Sequence, residues 1–172
     1  MTFWTKRRQR KIEALGDRML ALLTRGQRGY KNRSEWSYFA LRLCSDKNDK
    51  NWLSNAREPL FSAISNLWAR GFPVCVYDTK FWYPNSLEDA MPCLEWFEFR
   101  LEMAERYLGL IMLRKHLKTL SHLPENERIQ AILALLEETK GQQTSHEISA
   151  IGQEFIDFLA ALKKEFGEES PH

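Results

Sequence analysis

The first part of the chain alternates apolar and polar residues with the period of an α-helix. Five apolar side chains share one face between residues 8 and 24: Ile12, Leu15, Met19, Leu22 and Leu23. Gly26 then supplies a stop signal. Ser34 and Glu35 resemble a capped helix start, and the apolar face that follows is formed by Trp36, Phe39, Ala40 and Leu43. We therefore predict two helices, the second ending near Ser45.

A third helix and then a β-hairpin follow the polar loop DKNDKN. Ser54 or Asn55 is the expected cap of this helix, Pro59 stands in its first turn, and Gly71 marks its end. Beyond the glycine, the β-rich runs VCVY and FWYP flank the polar triplet DTK. These runs predict a hairpin with a three-residue turn, which places Lys80 at the tip.

The second half of the chain is predicted to be helical. A long helix over residues 86–120 begins at Ser86, restarts at Pro92 and carries a heptad series of apolar residues: Leu94, Phe97, Leu101, Ala104, Leu108 and Ile111. This series fits either a dimer seam or a helix packed on its own domain. Pro124 begins another helix, which Gly141 ends.

The last predicted helix begins at a capping box formed by Thr144 and Glu147. It is expected to bury Ile148, Ile151, Phe155, Phe158, Leu159 and Leu162. Together with the helix after Pro124, it predicts an antiparallel helical hairpin. The element order is therefore three helices, a β-hairpin, a long helix and a C-terminal helical hairpin.

Three helices followed by a hairpin is the order of a winged helix. We predict a mainly α fold with a small β-hairpin, namely a winged helix-turn-helix followed by a long helix and a C-terminal helical hairpin. Residues 1–85 form the winged-helix domain with its basic N-terminal segment, and residues 86–172 form a helical region for dimerisation or partner binding. The length of 172 residues fits this organisation.

Charge is distributed unevenly along the chain, although the total is only +2. Residues 1–33 contain ten Lys and Arg against two acidic residues, a net charge of +8, and the remainder carries −6. A basic end on an acidic body is typical of a protein that binds a polyanion. A solvated charged helix is the alternative interpretation.

Composition and motifs argue against several other classes of protein. No apolar run reaches the roughly 18 residues that a membrane span needs, so we expect a cytoplasmic protein that does not enter a membrane. Cys44, Cys75 and Cys93 form no CxxC pair, so no disulfide framework or zinc knuckle is expected. The patterns HExxH, GxSxG and GxxxxGK[ST] are lacking. We predict neither an enzyme nor a bound metal or cofactor.

One segment resembles a known family. Its pattern consists of Arg57, Leu60, Ile64, Leu67, Gly71, Val74, Lys80 and the pair Trp82-Tyr83. It resembles the recognition helix and wing of the DNA-binding domain of the bacterial biotin repressor, and it is similar to small winged-helix proteins of phages and mobile elements. The likeness covers about residues 8 to 118, and the glycine usual at the wing tip is absent. It implies binding to double-stranded DNA.

Under this resemblance the third helix enters the major groove. Ser62, Ser65 and Asn66 face outward from its apolar stripe and are expected to hydrogen-bond base edges. A solvated polar face is the alternative. Lys80, at the wing tip, is expected to contact the neighbouring DNA backbone or the minor groove. The other residues expected to contact phosphates are Lys6, Arg7, Arg8, Arg10, Lys11, Arg28, Lys31, Arg33, Arg57 and Arg70.

The sequence thus predicts a duplex DNA-binding protein of phage or mobile-element type, either a transcriptional regulator or a replication accessory. It would act by occupying its site, as a homodimer. The alternative is an adaptor or inhibitor that uses the winged-helix fold as a scaffold to bind a host or replication protein. The modest charge of the third helix favours this second interpretation.

Overall fold

A computed structural model describes residues 2–25, 28–104, 122–128, 130–131, 134 and 144–167. These residues are mainly helical, with a small three-stranded antiparallel sheet, which confirms the predicted fold class. The chain divides into two compact units. The first contains Met1–Trp96 together with Glu154–His172, and the second contains Phe97–Gln153.

Helix α1 spans Phe3–Thr24 and starts five residues earlier than the hydrophobic pattern indicates. Thr2 caps it, because the Thr2 side chain accepts a hydrogen bond from the backbone N–H of Thr5 at 3.4 Å. Lys, Arg and Gln are good helix formers, so the basic segment continues the helix without needing an apolar face. All the predicted cations between residues 6 and 11 therefore lie on α1.

A helix begins directly after Ser34 and Glu35, as predicted, with Glu35 at its N-cap position, but the Glu35 side chain forms no capping hydrogen bond. A 3-10 turn at Tyr30–Asn32 leads into strand β1, Ser34–Glu35, and helix α2 follows at Trp36–Leu43. The strand forms because Ser34 pairs with Phe81 and Glu35 pairs with Lys80. A two-residue strand has no periodicity of its own, so only the distant partner specifies it.

Helix α3 spans Trp52–Ala69, and Pro59 lies in its interior, which corrects the prediction that Pro59 stands in the first turn. The helix starts early because the Asp49 carboxylate accepts hydrogen bonds from the Asn51 N–H at 2.8 Å and the Asn55 amide at 2.9 Å. As predicted, Gly71 ends it, with a φ of +90° that favours glycine.

Strands β2, Cys75–Tyr77, and β3, Lys80–Trp82, form the predicted hairpin, and the sheet order is β1-β3-β2. Tyr77 pairs with Lys80, so the turn has two residues instead of three. Asp78 enables this turn by taking a φ of +54°, a region that Asp tolerates better than most residues. Lys80 consequently lies in β3 and not at the hairpin tip.

After the sheet, a 3-10 turn at Glu88–Ala90 precedes helix α4, which is described over residues 91–104. The α-helix begins at Met91 and not at Ser86 as expected; the Ser86 hydroxyl accepts a hydrogen bond from Asp89 N–H at 3.2 Å, next to the 3-10 turn. Pro92 lies in the first turn of α4, where its missing N–H is tolerated. Leu108 and Ile111 of the heptad series lie outside the described residues.

Helix α5 begins after Pro124, as predicted, and is described over residues 125–128. Its expected end at Gly141 lies outside the described residues. Helix α6 spans Thr144–Phe166 and begins at the predicted residue. Phe158 and Leu162 are buried, but Leu159 is 41% exposed, which corrects its expected burial.

The core of the first unit lies between the sheet and helices α1, α2 and α3. Phe81 of β3 is fully buried and contacts the rings of Phe39 and Phe61, with centroids 5.5 and 5.3 Å away. The α6 residue Phe158 packs on Trp68 of α3 with ring centroids 6.0 Å apart. Aromatic contacts of this kind add to the hydrophobic effect of burial, so α6 belongs to this core from Glu154 onward.

Candidate nucleic-acid interface

The N-terminal end of α1 is a basic, solvent-exposed segment. Every residue from 2 to 11 is exposed, and the cations on it include Lys6, Arg7, Arg10 and Lys11. None of these four forms an ion pair with any residue that the structure describes. Their charge is therefore available to an external anion. We call these four residues the basic arm.

Arg8 behaves differently from its neighbours, because it is paired with an acid on α3. Its Nη2 atom lies 2.7 Å from Oε1 of Glu58, and both side chains are more than two-thirds exposed. An exposed pair of this kind contributes only about 0–1 kcal/mol to stability. Its importance is positional, since it places the α1 segment that carries the basic arm next to the outward side of α3.

The three polar residues predicted to read bases on α3 do not share one environment. Ser65 turns towards α6: its hydroxyl donates to the Phe61 carbonyl at 3.2 Å and lies 3.5 Å from Glu154 Oε1. Ser62 and Asn66 are half-buried, four residues apart, on the side of α3 that also carries exposed Glu58. The predicted readout set is therefore reduced to Ser62 and Asn66.

Asn66 has unused hydrogen-bonding capacity. Its Oδ1 atom is buried and has no hydrogen-bond partner among the described residues. An unsatisfied buried acceptor costs free energy. Because the Oδ1 atom is closed to an external donor, only the rest of the Asn66 side chain could contact a base edge, and this observation does not rank Asn66 above Ser62.

The two arginines of the α3 region have different surroundings. Arg57 is exposed, with its guanidinium carbon 5.8 Å from the centroid of the Phe61 ring. Arg70 Nη1 pairs with Asp17 Oδ1 of α1 at 2.8 Å, and its side chain is one-third exposed. Arg70 therefore joins α1 to α3, and Arg57 is the better candidate for a phosphate contact.

The basic segment between α1 and α2 is partly committed to packing on aromatic rings. The Arg33 guanidinium lies 3.9 Å from the centroid of Tyr30 and donates to the Tyr30 carbonyl at 2.9 Å. The Arg28 guanidinium lies 5.0 Å from the ring centroid of Tyr83. Lys31 is exposed. Of these three cations, Arg33 has the clearest structural role, and Lys31 is the most accessible to an external anion.

The hairpin is a weak phosphate site because its lysine is neutralised. Lys80 Nζ lies 3.7 Å from Glu35 Oε1, and the Thr79 hydroxyl donates to Glu35 Oε2 at 2.6 Å. Asp78 adds a negative charge at the tip. The sequence does not indicate that Glu35 lies beside Lys80, because the two-residue strand that pairs them has no periodicity of its own.

Two groups in the packed interior, Cys75 and Tyr83, have a shifted pKa. Burial raises the pKa of the Cys75 thiol, and its hydrogen bond with Cys93 raises it further. Burial also raises the pKa of Tyr83, and the neighbouring Glu165 carboxylate adds to this effect. Such surroundings are typical of structural groups and oppose a reactive thiolate.

Other kinds of site receive little support. In the described ranges, no group of three His, Cys, Asp or Glu side chains is arranged to hold a metal ion. Within the same part of the chain, no helix is long and apolar enough to cross a bilayer.

Comparisons with protein families, with curated proteins and with solved structures found no match to this chain. The resemblance to winged-helix proteins therefore stays a prediction.

Proposed function

We propose that this chain binds duplex DNA through the basic arm of α1 and the adjacent outward side of α3. The observation that carries the proposal is the basic arm, whose four exposed cations have no ion-pair partner among the described residues. Phosphates dominate the affinity of proteins for DNA, so such cations supply salt-dependent binding.

The element order supports the winged-helix part of the proposal. Helix α1, strand β1, helices α2 and α3 and the β2-β3 hairpin follow one another, with β1 paired to β3. In this arrangement α3 acts as the recognition helix, with Ser62 and Asn66 towards the bases and Arg57 towards a phosphate. The protein would then act by occupying its DNA site, as expected of a regulator or replication accessory.

Dimerisation through α4 forms part of the same proposal. Two copies would read two half-sites about 34–36 Å apart, one turn of the double helix. The apolar heptad positions Leu94 and Leu101 are half-buried in the single chain, so they retain apolar surface that a second copy could cover.

A protein-interaction adaptor is the second candidate, and a specific observation favours it. Arg8, Arg70 and Lys80, three of the expected phosphate ligands, are paired with carboxylates. On α6, Ile156 is 60% exposed and Leu159 is 41% exposed. A chain that neutralises part of its positive charge and exposes apolar residues on a helix is also suited to a protein partner.

A salt titration with matched charge variants tests the proposal. Binding of a fluorescent 20-base-pair duplex is measured by anisotropy for wild type, for Arg7→Ala/Arg10→Ala/Lys11→Ala, and for a control triple variant. The control, Arg25→Ala/Arg42→Ala/Lys163→Ala, removes the same charge from exposed positions outside the basic arm. The arm variant should reduce the slope of log K against log salt concentration by about 3.

The control variant should keep most of the wild-type slope. Equal losses in the two variants would mean that net charge, and not the basic arm, attracts DNA. Absence of duplex binding by wild type at low salt would contradict the proposal and leave the adaptor as the better interpretation.

A further inference from the structure

Two large aromatic side chains stand exposed at the start of α1. Phe3 is 75% exposed and Trp4 is 73% exposed, the highest values among the large apolar side chains described. Their ring centroids are 6.4 Å apart and the rings are inclined by 78°. Two rings in water at one end of a helix form an apolar surface that a partner with flat, apolar faces can cover.

Cations are interleaved with these rings on the same side of the helix. Arg7 and Arg10 lie four and seven residues after Phe3, and Lys11 lies seven residues after Trp4. Residues at these spacings share a helix face. We call the set Phe3, Trp4, Arg7, Arg10 and Lys11 the aromatic-basic face.

This interleaving distinguishes between two polyanionic partners. A helix that lies on a membrane separates an apolar stripe from a charged face. The apolar stripe of α1 faces the core instead, with Gly16, Met19 and Leu23 buried. Rings and cations on one face match single-stranded nucleic acid, where unpaired bases stack on aromatic side chains while the backbone meets positive charge.

We infer that the aromatic-basic face binds single-stranded DNA, with Phe3 and Trp4 stacking on unpaired bases and the cations holding the phosphates. The inference extends the proposed function, because both use the basic arm, but it adds a substrate that the winged helix alone does not supply. Bases in a duplex already stack on each other. The chain would thus recognise a junction, with duplex on α3 and an unpaired strand at the end of α1.

The exposed part of α1 is large enough for this role. Residues 3–11 are all exposed and cover about 13 Å at the rise of an α-helix. The Arg8–Glu58 ion pair shows that the middle of this segment lies next to α3. An unpaired strand bound at Phe3 and Trp4 would therefore lie on the same segment of α1 that adjoins the surface proposed for the duplex.

Anisotropy with two single strands tests the inference. One strand is (dT)12, and the other is an abasic 12-mer with the same phosphates and no bases. Wild type should bind (dT)12 about tenfold more tightly than the abasic strand, since each stacked base adds a substantial part of the affinity. Phe3→Ala/Trp4→Ala should bind both strands equally, and Phe3→Tyr/Trp4→Phe should recover most of the difference.

A 20-base-pair duplex, a Phe99→Ala control and vesicles of phosphatidylcholine with phosphatidylserine complete the experiment. The double alanine variant should keep its duplex affinity within about twofold, and Phe99→Ala, which removes another exposed ring, should leave the strand preference intact. Circular dichroism should show unchanged unfolding of the double variant.

The outcomes separate this inference from the proposed function. Equal wild-type affinity for (dT)12 and the abasic strand would overturn the inference and leave duplex binding standing. A parallel loss of duplex binding in the double variant, or vesicle binding that depends on the two rings, would also overturn it. Binding of (dT)12 without any duplex binding would support the inference and contradict the proposed function.

Discussion

Arg8 of α1 and Glu58 of α3 form an ion pair of 2.7 Å on the surface where the two helices meet. Glu58 lies one turn before Ser62 and two turns before Asn66 on the same side of α3. A carboxylate therefore stands inside the surface proposed for DNA. If the chain binds DNA as proposed, such a group would repel phosphate and would also occupy the Arg8 guanidinium, so it would limit non-specific binding.

Replacement of Glu58 by Gln should strengthen binding to duplexes of any sequence. The substitution removes one negative charge and frees Arg8, so the slope of log K against log salt should become steeper by about 1. The melting temperature should change little, because the ion pair is exposed. Glu95→Gln, at an exposed position of α4, is the control. Equal strengthening by both variants would assign the effect to net charge alone.

Base readout should depend on Ser62 and Asn66 and not on Ser65. Ser62→Ala/Asn66→Ala should lower the affinity for a preferred site by about 1–3 kcal/mol per lost base contact, while leaving non-specific affinity unchanged. Ser65→Ala should keep the preference, because its hydroxyl is bonded to the Phe61 carbonyl and lies near Glu154. The ratio of specific to non-specific affinity, measured for each variant, shows which residues contribute to base readout. A lost preference in Ser65→Ala would contradict this division.

Local signals predict most of the fold, and distant partners decide the exceptions. Apolar spacing and the Gly71 stop locate α3 because they reflect helix geometry itself. Ser34 and Glu35 also precede α2, as their local signal indicates, but they form strand β1 as well, because Phe81 and Lys80 provide a strand pairing. The signal in favour of a strand lies nearly 50 residues away.

The same difference between local signals and distant partners applies to the candidate site. Basic residues 6–11 were predictable as an exposed group, because ten cations in 33 residues cannot all be buried. The ion-pair partner of an individual cation, such as Glu58 for Arg8, was not predictable. Helical periodicity places Ser65 outward on α3, yet α6 covers it from 89 residues away. Phe3 and Trp4 could have been noticed as aromatic residues preceding a basic run without an apolar face of their own.

Gly71→Ala should destabilise the first unit by about 1–3 kcal/mol. Gly71 has a φ of +90°, which an L side chain adopts only with strain, and an added Cβ would lie 3.0 Å from Lys164 Cδ. Gly152→Ala is the opposite case, because no described atom lies within 4 Å of its added Cβ and helix propensity improves by up to about 1 kcal/mol. Urea unfolding of both variants should give shifts of opposite sign.

Leu101→Glu should convert a dimer into a monomer that remains helical. Leu101 is half-buried in the single chain, and a charge in an apolar seam would have to be desolvated on association. Sedimentation at micromolar concentration and circular dichroism provide the measurements. Glu98→Gln, at an exposed position of the same helix, should leave the dimer intact. A wild type that sediments as a monomer would show that the heptad series serves only the single chain.

Stability at alkaline pH should depend on Tyr83. This residue is only 4% exposed, and its hydroxyl donates to Glu165 Oε2 at 3.1 Å, which ties β3 and the segment after it to α6. Burial, followed by the Glu165 charge, raises the pKa of Tyr83 above the ordinary value of about 10. The folded state therefore favours the protonated phenol.

A raised folded-state pKa stabilises the protein fully below the unfolded value and loses this contribution as the pH rises through the folded value. Wild type should thus lose unfolding free energy above about pH 10. At pH 8, Tyr83→Phe should be less stable by about 1 kcal/mol, because the hydrogen bond is missing. Above pH 10 that deficit should shrink, since phenylalanine cannot ionise. Urea unfolding between pH 8 and 11.5 measures the difference, with Tyr77→Phe as an exposed-tyrosine control. A deficit that stays constant over this range would show that Tyr83 ionisation is not linked to unfolding.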